Sequence, residues 1–465
     1  MLKMIHGAAE APYHLIAEAA FPVPFPSRLE YNSPAHGTWN IVHIGMLLPG
    51  SHQIYICTGN CNRGVVLTAA EMNASDRFST ITVKENNILE GDMEDLIIDG
   101  VTEILEKLPK KPPAVILFPS CVHRFMGCDI PMVYRILRSR YPEILFVEGY
   151  MDCILQKAGV TPDQRLRREL YSGLTKRLLN RKSVNIIGNT LRIDKEENEL
   201  TELLRSAGCD LKQIADCKTF EEYLSMSESY LNLTLLPIGK MPAEVLEERL
   251  GMKHLYLPQC FGYEEIIGYL EILAEELGVP AIPYQERIQT CEEALKQAKT
   301  VIGNTPIAID YTAIPRPLGL ARLLLEHGFQ VFRVYADSFI PEEEADFKWL
   351  QQHVPELEIY STIHAAMRVM PREYEGKGTV DCKSADCGNK DGKNADCGKN
   401  KVLAIGQKAA YFTGTGYFVN MVEGGGLYGF SGICKMAELM TEAFLQEKDT
   451  EDLIKRKGLG CESCI

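Results

Sequence analysis

The chain has 465 residues, 46% hydrophobic and 24% charged, with a formal net charge of -14. That length exceeds what one core sustains, so about two to four compact units are expected. The acidic balance argues against a nucleic-acid partner, which would need a basic face, and no apolar run nears the roughly 20 residues that span a bilayer.

The opening MLKMIHGAAEAPYHLI lacks the charged and apolar regions of a secretion signal, so the expectation is a cytoplasmic protein whose partners are small molecules and other proteins, with no membrane. Fifteen cysteines then read as thiols, metal ligands or both rather than a disulfide framework.

Apolar, β-branched runs alternate with helical periodicity, the pattern of βαβ units on parallel sheets. A first set of strands is predicted at QIYICT (53), STITVK (79), AVILFPS (114) and ILFVEGY (144), with MEDLIIDGVTEILEKL an amphipathic helix between the second and third. A basic helical stretch near 160–182 leads to a second set at SVNIIGN (183), DLKQIA (210), LNLTLLP (231) and KHLYLPQ (253). A third set follows at TPIAIDY (305), FQVFRVYAD (329), LEIYST (357), KVLAIGQ (401) and YFVNMV (417). The expected fold class is therefore α/β, in three units that are each a parallel sheet flanked by helices. Their bounds are 1–160, 161–290 and 291–465. Residues 375–401, low in hydrophobicity and nearly repeating ADCG, read as a surface insertion in the third.

Ligands of open parallel sheets sit outside the carboxyl ends of the strands, which is where Cys57, Cys61, Cys121, Cys128 and Cys260 fall. An iron-sulfur cluster needs several thiolates on short loops, with small residues that let backbone amides approach sulfide. The loops TGNCNRG and PSCVHRFMGCDIP offer Cys57, Cys61, Cys121 and Cys128 as metal ligands and Gly59, Gly64 and Gly127 as the small residues. Spacing alone leaves cluster ligands and buried core thiols as equal alternatives, since cysteine is among the most buried residue types.

The order of SPAHGTW, GNCNRG, ENNILEGDMEDLIIDGVTEI and PSCVHRFMGCDIPMV resembles the first domain of nitrogenase component 1 and its relatives. Cys61, Gly91 and Cys121 with Gly127, Asp129 and Ile130 match that family's motif places. The likeness continues through LNLTLLPIGKMPAEVLEERLGMKHLYLP, EEIIGYLEILAEELG and VEGGGLYGFSGICKMAELMTEAF. The resemblance implies an oxidoreductase subunit of three Rossmann-like domains with a cavity between them, which pairs with a homologous component 1 subunit or with itself. It also implies an iron-sulfur cluster (4Fe-4S or larger) held by cysteines of both chains, and electrons delivered by a nitrogenase iron protein-like ATPase to a small-molecule substrate.

Departures accompany the matches. Relatives carry a cysteine near SPAHGTW, where this chain has none before Cys57; Cys57, Cys128 or His36 replaces it, or the cluster is smaller. The cysteine and histidine that hold the catalytic cofactor in nitrogenases correspond here to Leu236 and Gly425, which disfavours nitrogen fixation. A non-catalytic scaffold for metallocofactor assembly is the alternative, and a structural partner that binds no metal a third. No G-x4-G-K-[ST] loop is present for ATP.

Beyond the cluster set, His123 beside Cys121 and Cys260 in LPQCFGYEE are candidate cofactor contacts, with a structural histidine and a plain loop thiol as the alternatives. Cys434 reads as a core residue. Cys382, Cys387 and Cys397 read as loop thiols, and Cys461 and Cys464 as a terminal C-x2-C pair.

Overall fold

The computed structural model describes residues 11–26, 30–31, 41–151, 160–193, 198–370 and 401–450. His36, the cysteines of the insertion and the terminal Cys461 and Cys464 lie outside the described residues. The fold is α/β, with parallel sheets flanked by helices. The chain packs into two compact units, one within residues 37–289 and 423–433, the other within residues 290–422 and 434–455 and the first 36 residues.

Fourteen strands are described: β1 (Tyr13–Leu15), β2 (His52–Cys57), β3 (Phe78–Thr82), β4 (Ala114–Pro119), β5 (Leu145–Glu148), β6 (Asn180–Ile186), β7 (Asp210–Gln213), β8 (Ser229–Thr234), β9 (Lys253–Tyr256), β10 (Pro306–Asp310), β11 (Gln330–Tyr335), β12 (Glu358–Tyr360), β13 (Leu403–Ile405) and β14 (Phe418–Val419). They form three sheets, ordered β3-β2-β4-β5, β7-β6-β8-β9 and β1-β12-β11-β10-β13-β14. Every pairing is parallel except that of β1 with β12. β1 carries no alternation of its own; it is held by pairing with β12 and by Tyr13 stacking on Tyr360 at 4.9 Å.

The first sheet shows why its central strands are continuously apolar. All six residues of β2 are buried, so successive side chains feed cores on opposite faces. Ile54, Ile56, Val115 and Leu117 join one cluster with Ile97, Ile98, Val101 and Leu105, the stripe of the amphipathic helix Met93–Lys107. Tyr55, Ile116 and Phe118 join another, shared with Leu166, Tyr171, Ile187, Tyr223 and Leu246 from the second sheet's surroundings. Tyr55 stacks on Phe118 at 4.3 Å with an interplanar angle of 2° and its hydroxyl donates to Gln53 Oε1, so the largest ring on this face has its polar end satisfied.

In each sheet the chain runs outward from one strand and returns to that strand's other side. This creates a switch point between β2 and β4, between β6 and β8, and between β10 and β13.

His52 opens β2 almost fully buried, 2.8 Å from Ser79 Oγ of β3. Burial, then the charge of Arg77, pulls its pKa down to about 4. A depressed folded-state pKa favours the neutral ring, so its stabilisation is full above the unfolded value of about 6.5 and is lost as pH falls through about 4. A His52→Gln variant is expected to lose less stability than the wild type between pH 7 and 4 in paired urea titrations. Equal losses would remove His52 as a source of acid sensitivity.

Candidate metal centre

Two parallel strands bring the first cysteines to one edge. Ile56 pairs with Pro119, the Ser120 amide donates to Ile56 O at 3.0 Å, and the Val83 amide donates to Cys57 O at 3.0 Å. Cys57 thus ends β2 between the ends of its two neighbours. The helix Gly59–Glu71 starts two residues later and carries Cys61 in its first turn, where Thr58 Oγ1 donates to Cys61 Sγ at 3.6 Å. The helical turn Cys121–Phe125 starts directly after β4. Gly127 reverses the chain with φ of 68°, and Cys128 follows, its amide donating to His123 O at 3.0 Å. Asp129 caps the next helix through Met132 N, and its own amide donates to Glu94 Oε1 at 2.8 Å, tying this loop to the acidic helix start at Glu94.

The four thiols are not equivalent. Cys57 is fully buried and its thiol is pushed up to about 11, by burial first and then by Cys61. Cys128 is half-buried and is pushed up by burial and then by Glu94. Cys121 is half-buried and Cys61 exposed. A Cβ added at Gly59, Gly64 or Gly127 would meet nothing within 4 Å. His123 is buried, with its pKa lowered chiefly by burial; Nδ1 lies 3.2 Å from Ser120 O, which assigns the ring proton there. His123 Nε2, Ser120 Oγ and Asn62 Oδ1 are buried without a hydrogen-bond partner.

Among the described residues, no three His, Cys, Asp or Glu side chains converge to hold a metal ion. The segments that carry the thiols also expose apolar side chains, Val66, Leu67, Phe125 and Met126.

Cys260 lies on the other sheet of this unit, buried after β9, where its proximity adds to the burial that raises the Tyr428 hydroxyl. The adjacent Gln259 Nε2 donates to Gly424 O at 3.5 Å. Gly424 belongs to a left-handed turn in which Glu423, Gly424, Gly425 and Gly426 have φ of 47°, 76°, 61° and 71°. Leu236 is a buried aliphatic side chain after β8, and Gly425 has none.

Two buried cations at the other switch points left no local sign in the sequence. Arg167, 2% exposed, donates to Gly188 O beyond β6, to Glu423 Oε1 at 2.7 Å and to Asp163 Oδ2 at 3.4 Å. Burial raises Asp163 to about 6 against the pull of Arg167. In the other unit Lys408 follows β13, its Nζ 3.1 Å from Thr362 Oγ1, whose hydroxyl donates to Asp337.

Residues 57–374 match the family described as nitrogenase component 1 type oxidoreductase. The chain belongs to that family. Nitrogenase component 1 relatives bind iron-sulfur clusters and work in oligomeric assemblies with an iron protein. No curated protein matches the chain in sequence. Among solved structures, "Nitrogenase Cp1 at pH 6.5" is similar with a TM-score of 0.65 and 13% identity over 90% of this chain and 94% of that one. "Nitrogenase Cp1 at pH 5" gives a TM-score of 0.52 and 12% identity over 92% and 94%. At such identities the likeness is one of fold. Among the described residues no helix is long and apolar enough to cross a membrane.

Two outcomes follow. Under native conditions Cys61 is alkylated well before Cys57, as mass-mapped labelling kinetics would record; simultaneous labelling would contradict the burial of Cys57. Arg167→Ala strands the buried Asp163 and the half-buried Glu423 and is expected to cost about 3–5 kcal/mol of unfolding free energy by urea denaturation.

Proposed function

We propose that this protein is a component 1 subunit that receives low-potential electrons from an ATP-dependent iron protein and holds an iron-sulfur cluster, 4Fe-4S or larger, jointly with a like subunit. The carrying observation is the first switch point. Thiols from two adjacent strand ends reach one edge, and exposed apolar side chains accompany them. A second subunit would both complete the ligands and cover that apolar surface.

When bound, such a cluster supplies one-electron transfer at low potential. Cys61 and Cys121 are the ligands this chain offers most readily, Cys61 being exposed and both standing at the starts of their helical segments. Cys57 and Cys128 would have to release protons that burial holds on them, so their ligation strengthens as pH rises. The open space beside Gly59 and Gly127 lets backbone amides approach sulfide. His123 stays neutral and packs beneath this edge, and Cys260 serves substrate or cofactor at the second sheet.

Leu236 and Gly425 leave no side-chain ligand for a cofactor hung at those positions, so the proposed reaction is not nitrogen fixation. The same two residues support a second reading, a scaffold that builds a metallocofactor and releases it.

The test is anaerobic purification of the full chain with its like subunit, followed by iron and sulfide analysis and electron paramagnetic resonance. Cys61→Ala with Cys121→Ala is expected to abolish the cluster signal; an unchanged spectrum would sink the site. Electron consumption with iron protein and ATP separates the reductase from the scaffold, which would hand over cofactor without turnover.

A further inference from the structure

Outside the metal centre, two cysteines far apart in sequence meet. Cys291 lies on the helix Tyr284–Ile302 and Cys434 on the helix Gly429–Leu445, with Sγ atoms 3.5 Å apart. Both belong to the unit built on the third sheet. Cys291 is fully buried, whereas Cys434 is half-buried. Closing to the roughly 2.05 Å of a disulfide takes about 1.5 Å of sulfur travel, within reach of side-chain rotation.

We infer that Cys291 and Cys434 are a redox modification site that forms an intramolecular disulfide when the protein meets a disulfide oxidant such as oxidised glutathione. The difference in burial fixes the order of events. The Cys434 thiolate, the reachable one, attacks a sulfur of oxidised glutathione; a mixed disulfide forms and one glutathione leaves as its thiolate. The Cys291 thiolate then attacks the Cys434 sulfur, forms the Cys291–Cys434 bond and expels the second glutathione. Two protein thiols are oxidised, one glutathione disulfide is reduced to two thiols, and the two protons released by the cysteines end on glutathione.

The bond joins two helices far apart in the chain and closes a long loop, the condition under which a cross-link most restricts the unfolded chain.

The experiment treats the full chain, purified anaerobically, with oxidised glutathione, then alkylates it under denaturing conditions and maps peptides by mass spectrometry. The expected result is a linked peptide pair containing Cys291 and Cys434, reversed by dithiothreitol and accompanied by a higher thermal midpoint. In Cys291→Ser, glutathione should remain attached to Cys434. The inference is overturned if wild-type Cys434 retains glutathione while Cys291 is alkylated, or if both cysteines are alkylated after oxidation. The wild-type map decides the matter even where the variant does not fold.

Discussion

The parallel ladder between β2 and β4 is the constraint on which the candidate centre rests. Its register, His52 with Val115 through Ile56 with Pro119, sets which residues emerge at the carboxyl edge. A slip of one residue would exchange the two faces of each strand and send Tyr55 and Phe118 into the cluster that now holds Ile54 and Leu117. The stacked rings oppose that slip, so the packing of an aromatic pair deep in the sheet decides where the cysteine loops stand.

Charge is handled differently at the three switch points. At the first, burial favours the neutral forms of Cys57, Cys128 and His123. At the second, a fully buried guanidinium is shared by two carboxylates and a carbonyl, an arrangement tolerable only because the donors of its planar fork find acceptors. At the third, a buried lysine reaches its carboxylate through a threonine hydroxyl. One topology thus presents a soft, neutral edge in one sheet and hard, charged edges in the others.

The sequence made the architecture legible where burial is two-sided. β4 and β10 are apolar runs and β2 and β8 largely so, whereas β6 opens on the exposed polar residues Asn180, Arg181 and Lys182 and is apolar only towards its end. The helix Met93–Lys107 announced itself by its stripe. The cysteine loops were legible as chemistry because spacing, glycine content and position after strands agree. The rest depends on partners distant in the chain: β1 on β12, Arg167 on Glu423, Cys291 on Cys434. No periodicity encodes such meetings. Even the basic stretch near 160–182, read as an ordinary charged helix, hides one arginine that turns inward.

The left-handed turn at 423–426 joins two requirements that a single position cannot satisfy. Its glycines are fixed by space, since a Cβ at Gly424 would lie 2.2 Å from Gln259 Oε1 and one at Gly426 2.3 Å from Arg192 O. Glu423 has no glycine's freedom, and its left-handed backbone, costing about 1–2 kcal/mol, is held by the ion pair to Arg167. Positions 167 and 423, 256 residues apart, are therefore energetically coupled. Without the arginine, glycine at position 423 would let the turn keep its left-handed backbone with no charge to hold it.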